Sequence, residues 1–243
     1  MNITEQQFGY SALERIAEAP RFNEWMYDTI RPYLIGDILE VGCGIGNIST
    51  YVIKDKKSIT LSDYDANYIA LLKTKFGGSP YVKNIIEVDL ARPAFKKELA
   101  PFACSFDTIF LLNVLEHIED DVTAVNNLNY LLKPGGRLIV LVPSYGFLYS
   151  DMDRLLGHYR RYTIPSLTQV IQKNELHVIK AFHFNLLGMA GWYWNKVFKQ
   201  AEISQEKMNL FNKLVPIGKS LDKLFLNKVG LSTIVVADKP INE

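Results

Sequence analysis

The feature that most constrains the fold of this chain is an alternation of short β-rich runs with helical stretches. The β-rich runs are Asp37–Val41, Ser58–Leu61, Tyr81–Val88, Thr108–Leu112 and Arg137–Val142, and helical spacing covers Asn47–Ile53, Ala66–Phe76 and Asp120–Leu132. Parallel strands must be joined by long crossover segments, which are usually helices. The alternation therefore predicts a doubly wound, Rossmann-like α/β sheet with helices on both faces.

The alternation ends after Pro143. Residues 144–163 have the composition of a loop with an aromatic and basic cluster, and a helix at 164–173 and a strand near 176–182 are predicted to follow. Residues 190–228 have a helical pattern that Pro216 is expected to break. The apolar run at 231–238 predicts a last strand.

Composition excludes several classes of protein. Of the 243 residues, 48% are hydrophobic and 22% are charged, and the net charge is +1, so neither a disordered chain nor a general nucleic-acid binder is expected. The two cysteines, Cys43 and Cys104, have no metal-like spacing and favour a reducing compartment. Since no apolar signal core or apolar run of about 20 residues is present, we expect a cytoplasmic protein.

A glycine-rich turn directly follows the first predicted strand. The sequence LEVGCGIGN at residues 39–47 brings Gly42, Gly44 and Gly46 to the start of a helix, where backbone amides can approach a ligand. Asn47 stands where a nicotinamide-dinucleotide motif needs its third glycine, and no P-loop Lys-Ser/Thr pair follows. Glu40 would repel a phosphate but tolerate a cation.

Two acidic residues follow the second and third predicted strands. Asp63 lies 21 positions after Gly42, a spacing typical of a carboxylate that binds ribose hydroxyls; alternatively it caps the next helix, a role for which Asp65 competes. Asp89 can accept from an adenine amino group while Val88 or Leu90 covers the ring, or it can simply cap a loop amide. A site with residues for adenine, for ribose and for a cationic tail indicates S-adenosylmethionine as the ligand.

In order and spacing, these segments make the sequence resemble the class I S-adenosylmethionine-dependent methyltransferases. The resemblance covers residues 20–143 well and rests on ILEVGCGIG, LSDYD, EVDL, FDTIFLLNVLEHIED and LLKPGGRLIVLVP. It implies a seven-stranded sheet whose last strand, 231–238, runs antiparallel in a hairpin with strand six. A looser similarity at 156–163, LGHYRRYT, is to a bacterial subgroup associated with polysaccharides and lipid-linked glycans.

The resemblance also implies a role for each cofactor-binding residue. Gly42, Gly44 and Gly46 would lie against the methionine part, and Glu40 would orient its amine. Asp63 would bind ribose, Tyr64 would lie against adenine, and Asp89 would bind the adenine edge. Asn113 would lie beside the reactive methyl, and Arg21 would pair with the carboxylate. We expect a single domain, 1–243, comprising a helical cover at 1–34, a cofactor-binding core at 35–143, a substrate-side loop and lid at 144–230, and the strand at 231–238.

Methyl transfer to a hydroxyl generally needs a base, and two histidines qualify by position. His117 follows strand four and His158 lies in the basic aromatic loop, although either could be a structural side chain. No metal site is expected, because the acidic residues around His117 lack an H-x-x-x-H partner.

The same basic aromatic loop offers groups for the acceptor. Arg160, Arg161 and Tyr162 are predicted to bind an anionic part of the substrate. The alternative is that these arginines form ion pairs with Asp151 or Asp153.

The segment from Lys196 to Lys228 carries seven lysines against three acidic residues. Beside them lie the apolar residues Phe198, Met208, Phe211, Leu214, Leu221 and Phe225. This pattern is typical either of peripheral contact with an anionic inner membrane surface or of helices that pack on the sheet or on a second copy in a homodimer.

The sequence thus favours a methyltransferase that acts on an oxygen of a small molecule, glycan or lipid-linked acceptor. Two alternatives remain: an S-adenosylmethionine-binding partner protein without catalysis, and, on weaker grounds, an NAD-dependent oxidoreductase. No nucleic-acid substrate is expected, since no Asn-Pro-Pro-Tyr-type motif occurs.

Overall fold

The computed structural model describes residues 5–197 and 204–241, and the side chains from Phe8 onward within these ranges. The strands are β1 Ile38–Val41, β2 Ile59–Asp63, β3 Val82–Glu87, β4 Phe106–Leu112, β5 Leu132–Pro143, β6 His177–Phe184 and β7 Ser232–Asp238. The helices are α1 Glu5–Ala17, α2 Pro20–Ile30, α3 Ser49–Lys54, α4 Ala66–Phe76, α5 Phe95–Glu98, α6 Asp121–Leu131, α7 Asp151–Leu155, α8 Ile164–Gln172, α9 Leu186–Val197 and α10 Gln205–Leu224.

The strands form one seven-stranded sheet in the order β3-β2-β1-β4-β5-β7-β6. β1 to β5 are parallel, whereas β7 lies between β5 and β6 and is antiparallel to both. The predicted fold class and the antiparallel last strand are therefore confirmed. β6 and β7 do not form a tight hairpin, because α9 and α10 lie between them in the chain.

The central strands are buried because helices cover both faces of the sheet. Every residue of β1 and β2 is buried, whereas exposed residues recur along β3 and β6, the two edge strands. One apolar core contains Ile109 and Leu128, and the other contains Ile30 and Phe110. Neighbouring residues of β4 thus point into opposite cores, as the two-residue period of a strand requires.

The parallel strands end together at one edge, and this edge carries the glycine turn. Gly42 N and Cys43 N both donate to Ser62 O at 2.9 Å, which ties the turn to the end of β2.

Strand β5 is longer than the sequence pattern predicted, because it begins at Leu132 rather than at Arg137. Its pairing with β4 passes from Leu132 directly to Arg137, so residues 133–136 loop out of register.

Two local predictions are wrong. Pro216 lies inside α10 and does not break it, because that helix is held from outside. Asn212 Oδ1 accepts from Arg21 N at 2.9 Å, and Gly218 lies against the Trp25 ring. The second error is in the segment 144–163, which contains α7 rather than only loop, since Ser150 and Asp153 form a capping box there.

The C-terminal helices pack on the rest of the chain through part of the predicted apolar set. Met208 is buried, and Phe211, Leu214 and Leu221 are half-buried, whereas Phe225 is exposed. Phe198, Lys199 and Glu202 of that prediction lie outside the described residues. Within the described ranges, no helix has both the length and the apolar character needed to cross a bilayer.

Candidate active site

A cleft of about 1660 Å³ opens at the carboxyl edge of the parallel strands. Its floor is formed by the glycine turn and the ends of β2, β3 and β4, as expected for an open α/β sheet. Residues of α1, α9 and α10 form its walls, and residues 156–159 and 161 also line it. The volume exceeds the 300–1,000 Å³ typical of small-molecule pockets, so it can accommodate a cofactor and an acceptor together.

The glycine turn lines this cleft with backbone. Gly42 and Gly44 have φ of +74° and +52°, a region that side chains disfavour. A Cβ at Gly42 would clash with Val114, and one at Gly44 would come within 2.8 Å of Leu13 Cδ1 in α1. Gly46 differs, because it is absent from the cleft lining and a Cβ there would meet Phe76 of α4. The structure thus places Gly46 in helix packing and not beside the predicted methionine part.

Glu40 is a buried carboxylate that borders the cleft. Ser49 Oγ donates to Glu40 Oε2 at 2.6 Å. Burial raises the pKa of Glu40 to about 7, against the hydrogen bonds from Ser49 and Cys43, and the charge of Asp63 adds to the rise. A cationic group bound near Glu40 would therefore favour the ionised form of this carboxyl.

Asp63 lies at the end of β2 and is 3% exposed. Its Oδ2 accepts from Gly44 N at 2.8 Å, and its Oδ1 accepts from Asp65 N at 3.1 Å. Asp65, and not Asp63, caps α4, since its side chain accepts from Asn67 N. The helix-capping alternative for Asp63 is thus excluded, and this carboxylate lies between the glycine turn and the cleft.

The predicted adenine-binding residues lie at the same end of the cleft. Tyr64 is 66% exposed, Leu90 is buried, and both line the cleft. Asp89 lines it too, but its Oδ1 also accepts from Ala91 N at 2.9 Å, so its alternative role as a loop cap is present in the structure. Asp89 Oδ2 remains 3.7 Å from Arg92 Nε.

The two remaining cofactor candidates differ in position. Asn113 lines the cleft just after β4 with a φ of +55°. Arg21 does not line the cleft, and its backbone amide is held by Asn212. The structure therefore does not bring Arg21 to the predicted carboxylate position.

His117 and His158 come together in the lining of the cleft. Their ring centroids are 4.6 Å apart at 86°, an edge-to-face contact. Burial and the nearby His158 lower the pKa of His117 to about 4, although this residue is exposed and lines the cleft. His158 is buried, and its Nδ1 lies 2.9 Å from Asp153 Oδ1.

Glu116 lies beside these two histidines, although the sequence analysis did not identify it as a site residue. Its side chain is 0% exposed, burial raises its pKa to about 8, and neither carboxylate oxygen has a hydrogen-bond partner. One ligand atom each from Glu116, His117 and His158 lies within 4.8 Å of the others. The adjacency of Glu116 to His117 was the available signal, but the approach of His158 cannot be predicted locally.

The basic residues predicted to bind substrate are engaged inside the protein. Arg161 Nε donates to Asp153 Oδ1 at 2.8 Å and Nη2 to Oδ2 at 3.1 Å, with both side chains 0% exposed. Arg160 Nη1 and Tyr162 OH both donate to Asp121 Oδ2, at 2.9 and 2.8 Å. Arg161 lines the cleft, whereas Arg160 and Tyr162 do not. The ion-pair alternative is the one that the structure contains for Arg161.

Hydrogen bonds from His158 and Arg161 control the state of Asp153. Burial alone would raise the pKa of this carboxyl, but these hydrogen bonds and the charges of their donors outweigh it and hold the pKa below its usual value. An ionised Asp153 thus orients His158 so that Nε2 points toward Glu116, 4.0 Å from Oε1.

The family model described as "Methyltransferase domain" matches residues 39–138. A ubiquinone biosynthesis O-methyltransferase of Xylella fastidiosa is 32% identical over 103 residues, which are 42% of this chain and 40% of that protein. The chain spans 5% to 40% of the length of three curated relatives matched here, two of them polyketide synthases of Dictyostelium discoideum.

Solved structures share the fold at low sequence identity. A putative sarcosine dimethylglycine methyltransferase from Galdieria sulphuraria aligns with a TM-score of 0.61 at 12% identity, over 91% of this chain and 86% of that one. The Haemonchus contortus phosphoethanolamine N-methyltransferase 2, solved in complex with S-adenosyl-L-methionine, aligns with a TM-score of 0.56 at 19% identity, over 84% and 48%. Residues 39–138 therefore match a methyltransferase domain, and with the sheet order and the glycine turn the chain has the fold of the S-adenosylmethionine-dependent methyltransferases and is similar to them.

Proposed function

We propose that this chain binds S-adenosylmethionine and transfers its methyl group to an oxygen atom of a small molecule, glycan or lipid-linked acceptor. One observation carries the proposal: Glu40, Asp63 and the glycine turn border the same cleft as the pair of histidines. The first group fits a cationic adenosyl cofactor, and the second offers proton-accepting nitrogens. Of the named relatives, the Xylella protein is an O-methyltransferase, which agrees with an oxygen acceptor.

The reaction is an in-line displacement at the methyl carbon of a sulfonium. The carbon–sulfur bond breaks with its electron pair going to sulfur, and a carbon–oxygen bond forms to the acceptor. The hydroxyl proton must leave in the same process, and His117 or His158 lies where such a proton could be taken. The protein otherwise contributes position and electrostatics, because the cofactor supplies the electrophile and the leaving group.

A thermal-shift panel separates this function from the alternatives. We expect S-adenosylmethionine and its demethylated product to stabilise the protein and NAD to leave it unchanged. A ligand at 100 times its Kd stabilises the folded state by about 2.7 kcal/mol. Stabilisation by NAD alone would contradict the proposal, and a bound cofactor that is never demethylated with any hydroxylated acceptor would favour the inactive partner protein.

Glu40 should make cofactor binding depend on pH. Its folded-state pKa is about 7, so without cofactor it becomes protonated as the pH falls from 7 toward 5. A bound ammonium group favours the ionised form, and affinity should therefore rise with pH up to about 7 and fall by at most about tenfold per pH unit below it. Calorimetric titrations between pH 5.5 and 8 measure this, and Glu40→Gln should flatten the profile. A wild-type affinity that does not change over this range would contradict the role of Glu40.

We also propose that the protein is cytoplasmic and makes peripheral contact with an anionic membrane surface. Leu210, Ile217 and Leu224 recur every seven residues along α10 and are 58%, 53% and 73% exposed, with the exposed Lys213 and Lys223 beside them. Such a helix face fits an anionic interface. We expect co-sedimentation with anionic vesicles at low salt and its loss in Ile217→Glu. If the wild type stays in the supernatant, the helix face serves another contact, such as a homodimer.

A further inference from the structure

The side-chain cluster of Glu116, His117 and His158 has the composition of a metal site. Two imidazoles and one carboxylate offer one ligand atom each, and these atoms lie within 4.8 Å of one another. Ligand atoms about 2.0–2.2 Å from a shared metal ion are about 3–4 Å apart. Glu116 Oε1 and His158 Nε2 are already 4.0 Å apart, so a side-chain adjustment of about 1 Å would close the set.

Glu116 gives an independent reason to expect an ion. This carboxylate is 0% exposed, and neither oxygen accepts a hydrogen bond. A buried polar group without a partner is costly, and an ionised one is more so. A cation in front of both oxygens would remove that cost, whereas the nearby Arg161 gives its hydrogen bonds to Asp153 and Ser144 instead.

The surroundings of His158 are those of a metal-binding histidine. Asp153 binds Nδ1 at 2.9 Å, which leaves Nε2 toward Glu116. Histidine ligands commonly pair their other nitrogen with a carboxylate, which fixes the ring and raises its basicity. Asp153 is in turn fixed by both of its contacts with Arg161. The ring orientation is therefore set before any ion binds.

The cluster lies at the cleft, close to the expected position of the methyl group. All three residues line the cleft. Val114, two positions before Glu116, packs on Gly42 of the glycine turn. Three protein ligands leave coordination positions open for an oxygen of the acceptor. The mixed nitrogen and oxygen set suits Mn²⁺, Fe²⁺, Co²⁺ or Zn²⁺ better than Mg²⁺, which prefers oxygen ligands.

We propose that Glu116, His117 and His158 bind a divalent first-row transition-metal ion whose open positions take the acceptor hydroxyl. The assignment of this oxygen as the methyl acceptor rests on the proposed function; the metal site itself does not. With the ion bound, the two histidines are ligands and not bases. The ion lowers the pKa of the bound hydroxyl, its proton passes to water, and the oxygen then takes the methyl as the electron pair of the carbon–sulfur bond goes to sulfur. Asp153 is a positioning residue for His158.

Metal binding is tested on the full chain after treatment with EDTA. We expect calorimetry to show one site for Mn²⁺ or Co²⁺ and weaker binding of Mg²⁺, and the visible spectrum of bound Co²⁺ to report histidine ligands. Glu116→Gln and His158→Ala should abolish binding, and Asp153→Asn should weaken it by about 10- to 100-fold. His177→Ala, an exposed histidine outside the cleft, is the matched control and should bind like the wild type.

Binding of the demethylated cofactor is measured on each variant in parallel. Glu116→Gln that still binds this cofactor but no metal supports the site and shows that the chain is folded. A wild-type chain that binds cofactor but none of the transition metals overturns the metal site and leaves the proposed function standing. Wild-type metal binding that Glu116→Gln and His158→Ala both leave unchanged also overturns it. Metal binding without cofactor binding instead contradicts the proposed function alone.

Discussion

Asp63→Asn should weaken binding of S-adenosylmethionine by about 100-fold or more. The carboxylate is buried at the end of β2, and its oxygens already organise the turn by accepting from Gly44 N and Asp65 N. An amide offers one acceptor fewer and no charge. Each hydrogen bond to a charged group contributes about 1.5–3 kcal/mol, so the loss of turn order and of ribose contacts together should reach about 2.8 kcal/mol, or about 100-fold. Isothermal calorimetry measures the change.

Asp65→Asn is the matched control for this prediction. Asp65 lies two residues away and caps α4 through its bond from Asn67 N at 2.8 Å. Asparagine is as good an N-cap as aspartate, so this variant should keep its cofactor affinity. If Asp63→Asn binds the cofactor within about threefold of the wild type, a difference under 1 kcal/mol, then Asp63 does not hold the ribose.

Arg161→Met should lower the free energy of unfolding by about 3–5 kcal/mol, because it leaves a buried carboxylate without its main cation. The Arg161 and Asp153 side chains are both 0% exposed and joined through two hydrogen bonds. The guanidinium also lies 4.6 Å from the Trp192 ring and donates to Ser144 O, so it ties the segment after β5 to α7 and α9. Urea unfolding followed by tryptophan fluorescence measures the loss.

Arg154→Met provides the comparison, because Arg154 lies on α7, the short helix that also carries Asp153. Arg154 pairs with Asp151 at the surface, where the side chains are 67% and 58% exposed. Exposed pairs contribute about 0–1 kcal/mol, so this variant should unfold almost like the wild type. If both substitutions lower the free energy of unfolding equally, burial of the Arg161–Asp153 pair does not increase its contribution to stability. If Arg161→Met is as stable as the wild type but has a raised KM, we would conclude instead that Arg161 binds the substrate.

Most of the fold could be predicted because its signals are local. The alternation of strands and helices, the turn residues and the apolar runs are each read within about ten residues, and parallel strands with crossover helices have few arrangements. The sheet, its buried central strands and the antiparallel β7 followed from them. Pro216 was misjudged because its effect depends on α2, which lies about 190 residues earlier and holds α10 in place.

The cofactor side of the site was also largely accessible from sequence. Gly42, Gly44 and Asp63 lie within 22 residues, and the strand ends that carry them must meet at one edge. Gly46 and Arg21 show the limit of that reasoning. The pattern counts residues but does not say which way each one faces, and Gly46 faces α4 while Arg21 lies outside the cleft.

The sheet, the glycine turn and the resemblance to the methyltransferases could be predicted from local patterns, because such short-range patterns allow few folds. The polar groups that meet across long separations could be identified only once the chain was folded. His158 reaches Glu116 from 42 positions away because the capping box of α7 and the Arg161–Asp153 pair fold that segment back over the end of β4. Contacts of that kind depend on packing and burial, which no local pattern of residues records.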